Sequence, residues 1–350
     1  MSSFSREFLH RLRFTPDQVS TLRKLGEHRG RQELHERQRP EVLESLRTVA
    51  KIESSESSNR LEGIVAPHAR VHALVLESTA PVNRSEQEIA GYRDALNLIH
   101  ESRERMPVST SVILQLHSIV YRYLPGEGGR WKMADNEIVE RGADGEIVRV
   151  RFRAVPASLT PAAMDELVDG YRSAVDSADH DPLCLIPLGI LDFLCVHPFA
   201  DGNGRVARLL TMLLLYHFDY RVGRYISLER IFEDSKETYY ETLERSSVAW
   251  HENAHDPHPW MNYFWGVLLR AYEEFEQRVG RISRGKGSKS QQVRKAILAR
   301  VLPFSISELE KDCPGVSRDT IRQVLRKMRD EGTISSQGQG RGARWRRVDS

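Results

Sequence analysis

Twelve residues, His197-Pro198-Phe199-Ala200-Asp201-Gly202-Asn203-Gly204-Arg205-Val206-Ala207-Arg208, gather an imidazole, a carboxylate, a Gly-Asn-Gly turn and two guanidiniums. Each suits one part of a reaction at phosphorus. His197 is the side chain here able to take a proton near neutral pH. Asp201 offers hard oxygens to an Mg²⁺ that bridges phosphates. Gly202, Asn203 and Gly204 let backbone N–H groups close on an anion, because glycine lacks a Cβ and tolerates unusual φ. Arg205 and Arg208 lie three apart, on one face of the helix that follows, where both can clamp phosphate oxygens. A helix N-terminus alone supplies only about 0.3–1 kcal/mol to an exposed anion, so a polyphosphate needs those arginines. The combination points to phosphoryl or nucleotidyl transfer.

Long apolar segments flank the loop. Leu183 to Val196 precedes it and Leu209 to Tyr216 follows it. Both are apolar on every face and near helical length, which predicts two buried helices holding the polar stretch between them.

The stretch resembles the signature of the Fic family, His-Pro-Phe-x-Asp/Glu-Gly-Asn-Gly-Arg-x-x-Arg, and every fixed position is matched. The resemblance implies a mainly α fold: a Fic-type helical core with a β-hairpin flap. It implies transfer of AMP from ATP to a Ser, Thr or Tyr hydroxyl of a protein, the chain itself included. His197 would then be the base and Asp201 the Mg²⁺ ligand. Gly202, Asn203 and Gly204 would form the anion hole, with Arg205 and Arg208 on the β- and γ-phosphates. The related Doc branch, which phosphorylates its target, carries lysine where this chain has Gly204; that departure favours AMP transfer.

Upstream, Glu53 to Ile64 is a serine-rich segment in which Ser58 and Glu62 are four apart and share a face if helical, with Gly63 as a stop. It resembles the Fic inhibitory motif, Ser/Thr-x-x-x-Glu-Gly/Asn. The resemblance implies that Glu62 pairs with Arg208 and takes the guanidinium that should hold the γ-phosphate, so that ATP binds misaligned. In some relatives the same glutamate positions water to remove AMP, which would make this chain bifunctional.

Alternation in 137–140 and 146–150, around Arg141-Gly142-Ala143-Asp144-Gly145, predicts a β-hairpin. In Fic proteins a hairpin here is the flap, which implies target or adenine contacts at Ile138 and Val139. The pair Tyr239-Tyr240 matches a feature that puts Tyr240 on the nucleotide. His251, His255 and His258 have helix-like spacing but no acidic or cysteine ligand beside them, and Pro257 and Pro259 break the helix; no metal site is expected there.

The organisation expected is an N-terminal helical region with the inhibitory helix over 1–85, a catalytic core over 86–280, a basic Gly/Ser linker over 281–290 and a further domain over 291–350. Residues 281–350 hold 17 Lys/Arg against 7 Asp/Glu, whereas the whole chain is only +2. In this tail Ser305-Ile306-Ser307-Glu308 forms a capping-box pattern and Pro314-Gly315 a turn. A helix from Ser317 follows, with Arg318, Arg322, Arg326 and Arg329 facing solvent. Thr333 to Val348, with Gly338, Gly340 and Gly342 between its ends, reads as a two-stranded wing. The order resembles a winged helix-turn-helix domain, which implies DNA as a partner through 291–350.

At 350 residues, 40% hydrophobic and 29% charged, the composition suits a globular protein. No apolar run reaches transmembrane length, so no membrane partner is expected. The N-terminus lacks a signal-peptide apolar region. Cys184, Cys195 and Cys313 lack metal spacing, which suggests a cytoplasmic location. Homodimers are common among similar proteins. Two alternatives stay open: a DNA-binding regulator whose Fic-like core senses ATP, and an enzyme using another phosphate-containing donor.

Overall fold

The computed structural model describes residues 3–38, 40–126, 128–141, 146–284, 286–298, 300, 303–313, 315–337 and 344–347. The loop residues 142–145, Pro314, the glycines 338, 340 and 342, and Val348, all named above, lie outside them. The chain divides into two compact units, Met1–Phe275 and Glu276–Ser350.

The first unit is mostly helical. It begins with α1 (Arg6–Arg11), α2 (Pro16–Gln38), α3 (Pro40–Leu61), α4 (His68–Leu76), α5 (Arg84–Ser102) and α6 (Thr110–Val120). The hairpin β1 (Glu137–Arg141) and β2 (Ile147–Arg153) comes next. Then follow α7 (Thr160–Ser177), α8 (Pro182–Val196), α9 (Asn203–His217), α10 (Leu228–Asp234), α11 (Lys236–Ser247) and α12 (His258–Arg284), which belongs to this unit as far as Phe275. Many starts are set by a side-chain oxygen that accepts an otherwise unpaired N–H: Ser5 for α1, Asn83 for α5, Ser109 for α6, Asp181 for α8 and Ser227 for α10.

The two apolar flanks are α8 and α9, and both are buried almost throughout. Around them α8 packs on α7, α9 and α11, while α9 packs on α5 and α6. Pro187 sits inside α8. Having no N–H, it leaves the Leu183 carbonyl without its helical donor. The Trp265 indole of α12 donates to that carbonyl at 2.8 Å, and the Trp260 indole donates to the Pro187 carbonyl at 2.8 Å. Fully buried Trp265 thus supplies the donor that the proline lacks, and fully buried Trp260 adds a second contact to the same helix.

The serine-rich segment is helical as far as Leu61. It is the last part of α3, which runs unbroken from Pro40 and packs on α4, α5 and α10. Apolar residues are sparse on α2: Leu25 is buried, but Val19 and Leu34 are exposed. Buried glutamines do the docking. Gln32 Oε1 accepts from Tyr272 Oη at 2.9 Å, and Gln18 Nε2 donates to Asn262 Oδ1 at 2.8 Å.

The second unit holds α13 (Lys286–Leu298), α14 (Ile306–Asp312), α15 (Arg318–Asp330), β3 (Ile334–Gln337) and β4 (Arg344–Arg347). Backbone of 281–290 is helical up to Arg284 and again from Lys286. Ser305 and Glu308 form a reciprocal capping box at the start of α14. The antiparallel hairpin β3–β4 is extended by a bridge between Phe304 and Trp345. Val293, Ile297, Phe304, Leu309, Ile321, Leu325 and Met328 close a core of its own.

Trp265→Phe keeps an aromatic ring but strands the Leu183 carbonyl. The expected loss is about 1–3 kcal/mol, the cost of an unsatisfied buried polar group, read as a lower urea midpoint. An unchanged midpoint would contradict the role given to the indole.

Candidate active site

The loop between α8 and α9 is held from several sides. His197 caps α8 in the left-handed conformation, φ 50° and ψ 59°. A non-glycine residue there is strained by about 1–2 kcal/mol, so its surroundings must enforce it. Asn203 does part of this. Its Oδ1 accepts from the Phe199 N–H at 2.9 Å and its Nδ2 donates to the Phe199 carbonyl at 2.8 Å. Both ends of the side chain are spent on the loop, which leaves the backbone N–H of Asn203 for an anion. Phe199 is fully buried and stacks on His117 at 3.8 Å. The Gly129 N–H donates to His117 Nδ1 at 2.7 Å, so Nε2 carries the proton and donates to the Asp201 carbonyl at 3.2 Å. Gly202, at φ 82°, then turns the chain into α9.

His197 Nδ1 lies 3.2 Å from the Leu194 carbonyl, which can only accept. That contact assigns the proton to Nδ1 and leaves Nε2 as the acceptor. Burial lowers the His197 pKa to about 4, with the Leu194 contact opposing and Lys132 assisting. The ring is therefore neutral at pH 7, the state a base requires.

His197 opens into a cavity whose wall includes Gly204 and Arg208 of α9, Glu62, and Tyr239 and Tyr240 of α11. Leu191, Leu194, Cys195 and Leu243 make the apolar part, and the hairpin adds Ile138, Arg151 and Phe152. Val139 is not in the wall, as alternation along a strand requires. The register passes from Ile138–Phe152 to Val139–Val150, so Arg151 is the extra residue of a bulge. Bulges re-aim side chains, and this one brings Arg151 to the cavity. The hairpin is tied to α11 by Arg149, whose Nη1 and Nη2 reach Glu244 at 2.6 and 3.1 Å.

Arg208 is 3% exposed and is held through Nε and Nη2 by Ser58 and Glu62 at the end of α3. Its Nε donates to Ser58 Oγ at 2.8 Å, and its Nη2 donates to the Ser58 carbonyl at 2.8 Å and to Glu62 Oε1 at 2.8 Å. Burial alone would lower the guanidinium pKa; Glu62 and the tyrosines Tyr239, Tyr92 and Tyr240 outweigh it and raise it. A Cβ on Gly204 would collide with Glu62 Oε1. The glycine therefore admits the carboxylate to the first turn of α9, where Asn203, Gly204 and Arg205 have no intrahelical carbonyl for their N–H groups. Glu62 lies where helix and guanidinium both attract an anion. Tyr240 Oη donates to the Leu61 carbonyl at 3.3 Å, beside it.

Arg205 departs from expectation. It is 1% exposed and does not reach the cavity. Its Nη1 donates to Glu88 Oε2 at 2.7 Å and its Nη2 to Tyr121 Oη at 3.2 Å. Three residues along a helix is near one face, but the α5 carboxylate and the α6 tyrosine hold this guanidinium out of the cavity wall. Asp201 is there as well, with a 69% exposed side chain. It accepts from Tyr121 Oη at 2.8 Å and from the Gly202 N–H at 2.7 Å. Burial opposes its charge, but Tyr121 and Arg205 lower its pKa on balance. An ionised, accessible carboxylate fits an Mg²⁺ that takes its remaining oxygens from phosphates and water. The three spaced histidines part ways: His251 meets the Arg153 carbonyl, His255 meets Ser3 Oγ and His258 meets Gln18.

Residues 107–215 match the Fic/DOC family, so the chain contains a Fic/DOC family domain. Such domains belong to a transferase family that typically moves a nucleotide monophosphate onto proteins, using nucleoside triphosphates, often with Mg²⁺. The fold is similar to that of a Fic family protein from Desulfovibrio desulfuricans G20, at 22% identity and TM-score 0.62, over 97% of this chain and 98% of that one. It is also similar to a Fic domain containing signaling protein from Bacteroides thetaiotaomicron VPI-5482, at 23% identity and TM-score 0.60, over 74% of this chain and 97% of that one. A stretch of 95 residues is 32% identical to the ribonucleoside-diphosphate reductase small chain of Ostreid herpesvirus 1 (isolate France). That match covers 25% of this chain and 16% of the relative's length, too little to carry a fold or an activity. Among the described residues no helix is long and apolar enough to cross a membrane.

Buried imidazoles also set the response to acid. Burial lowers His117, His197 and His255 to about 4 and His100 to about 3. Their unfolded value is near 6.5, so between these limits the unfolded chain binds more protons. Their stabilisation is complete above pH 6.5 and is lost as pH falls towards 4. Asp192, raised to about 6 by burial, works against them. The urea midpoint is expected to be lower at pH 5 than at pH 7; a flat or rising trend would contradict the burial of these rings.

Proposed function

We propose that the chain is a protein adenylyltransferase held inactive by Glu62. The observation that carries this reading is the grip of Ser58 and Glu62 on Arg208 over the first turn of α9, across the cavity from a neutral His197. A carboxylate fits that place for the reason a terminal phosphate would: both are anions met by a guanidinium and free helix N–H groups. The apolar wall beyond it, with Leu191, Leu194 and Leu243, suits a base rather than more phosphate.

In the proposed reaction the hydroxyl oxygen of a Ser, Thr or Tyr attacks the α-phosphorus of ATP. The bond from that phosphorus to the bridging oxygen breaks and pyrophosphate leaves. The hydroxyl proton passes to His197 Nε2. Arg208, once released by Glu62, holds the terminal phosphate, while the N–H groups of Asn203, Gly204 and Arg205 face the chain of phosphates. Asp201 would hold Mg²⁺, which supplies charge neutralisation to those phosphates. Arg205 contributes by fixing Asp201 and Tyr121 rather than by touching phosphate. Gly204, where the phosphorylating Doc branch carries lysine, favours AMP over phosphate as the transferred group. Removal of AMP by water held on Glu62 belongs to the same proposal.

The second unit carries a proposal of its own: contact with DNA through α15 and β4. On α15, Ile321, Val324, Leu325 and Met328 are buried while Arg318, Arg322, Arg326 and Arg329 are exposed. The nearby carboxylates Glu310, Asp319 and Asp330 make only exposed ion pairs with them, at 3.2–3.5 Å. Such pairs are weak and yield readily to phosphates.

Glu62→Gly, incubated with ATP and Mg²⁺, is expected to gain the mass of AMP on the intact chain faster than wild type. His197→Ala in that background is expected to abolish the gain while ATP binding persists. No faster gain in Glu62→Gly, or full activity without His197, would overturn the reading. For the second unit, retention on duplex DNA at low salt that falls steeply with added salt is expected; no retention, or retention indifferent to salt, would remove DNA as the partner.

A further inference from the structure

A segment that the twelve-residue loop does not contain grips it from outside. Residues 131–136 run from the glycines that follow α6 into β1. Lys132 lies in this strap and is 3% exposed. Its Nζ donates to the Val196 carbonyl at 3.1 Å and to Asn136 Oδ1 at 2.7 Å, and its backbone N–H donates to the Pro198 carbonyl at 2.8 Å. Asn136 Nδ2 in turn donates to the Phe199 carbonyl at 3.0 Å. The residues on either side of His197 are therefore both bonded to Lys132.

This placement is costly. Among the described residues no carboxylate makes an ion pair with Lys132, and its partners are neutral amide and carbonyl oxygens. An ammonium buried against neutral acceptors alone gives up hydration that such contacts only partly replace. Burial accordingly lowers its pKa to about 8, with Asp135 opposing. Simple packing would be served better by leucine or methionine. What an ammonium adds lies at the end of α8. Val196 is the last residue of that helix, and its carbonyl has no further helical N–H to accept. A cation there also meets the negative end of the helix dipole. The next residue is His197 at φ 50°, a strained turn that needs enforcing.

We infer that Lys132 is a positioning residue for His197: by holding the carbonyls of Val196 and Pro198, it fixes the left-handed turn that presents Nε2 to the cavity as the proton acceptor. Its charge serves the same end, since a nearby ammonium disfavours a second cation on the imidazole. Other charged or titratable groups face the ring as well. Glu62 and Asp201 favour its protonation. Arg151, Arg208, Glu244, Tyr239, Tyr240 and the Cys195 thiol share the cavity wall with it. Lys132 is the cation among them that is bonded to the backbone carrying the ring.

The kinetic half of the test rests on the proposed AMP transfer; the spectroscopic half does not. In the full chain bearing Glu62→Gly, Lys132→Met is expected to lower kcat roughly 10- to 100-fold, the scale of a small misplacement of a reacting group, with KM for ATP changed far less. Lys132→Arg, which keeps charge and donors, is expected to recover most of the loss. In full-chain protein with 13C-labelled histidine, the His197 resonance, assigned by its absence in His197→Ala, is expected to titrate about one unit higher in Lys132→Met than in wild type, the lower end of the effect of a neighbouring charge. Lys132→Gln, which keeps a donor without the charge, gives the same reading if the methionine variant does not fold. An unmoved His197 titration, or kcat and KM falling together with no rescue by arginine, would overturn the proposal. If no transfer occurs with Lys132 in place, the transfer reading has failed and the titration still decides what Lys132 does.

Discussion

The contact on which the site turns is the buried guanidinium of Arg208 with the end of α3. A charge 3% exposed needs oxygen partners in place, and Ser58 Oγ, the Ser58 carbonyl and Glu62 Oε1 supply them at 2.8 Å each. Truncating one partner of such a pair leaves the other charge buried and unpaired. The arrangement also constrains Gly204, since a Cβ there would displace the carboxylate. α3 is anchored well away from the cavity too. Ser54 Oγ donates to Glu229 Oε2 at 2.7 Å, and Tyr92 Oη donates to Glu229 Oε1 at 2.8 Å. Glu62 itself lies past the last turn of α3, with a 32% exposed side chain. Its release therefore calls for a side-chain swing rather than withdrawal of the helix.

Around this contact the molecule separates two duties that adjoin in sequence. Residues facing the cavity offer charge, a proton acceptor and apolar wall. Residues behind the loop hold its shape: Asn203 on Phe199, His117 on Asp201, Arg205 on Glu88 and Tyr121, Lys132 on Val196. The second group is buried, and it maintains a strained turn at His197. Pre-set geometry of this kind is what a group-transfer site needs, because its rate depends on alignment at a single atom.

Much of this was legible in the sequence where the determining contacts are short-range. The apolar runs around 183–196 and 209–216 are helices because apolarity on every face leaves burial between other helices as the stable choice. Ser305 and Glu308 announce a helix start three residues apart, and they cap one. Ser58 and Glu62 share a face and converge on one arginine. What stayed hidden depends on distant partners. Arg205 turns from the cavity because Glu88, 117 residues earlier, draws it. Lys132 carries no motif and acquires its place only when the strap folds onto the loop. α2 is docked by Gln18 and Gln32, which a hydrophobic pattern cannot register. Its few apolar residues point partly to solvent, with Val19 55% and Leu34 58% exposed.

The central claim is that Glu62 occupies the place of a terminal phosphate and competes for Arg208. A binding cycle tests it without turnover: calorimetric affinity for ATP in wild type, Glu62→Gly, Arg208→Ala and the double variant. Tighter binding in Glu62→Gly, with the gain abolished when Arg208 is also alanine, is the expected result. An equal gain with or without Arg208, or no gain at all, would contradict it.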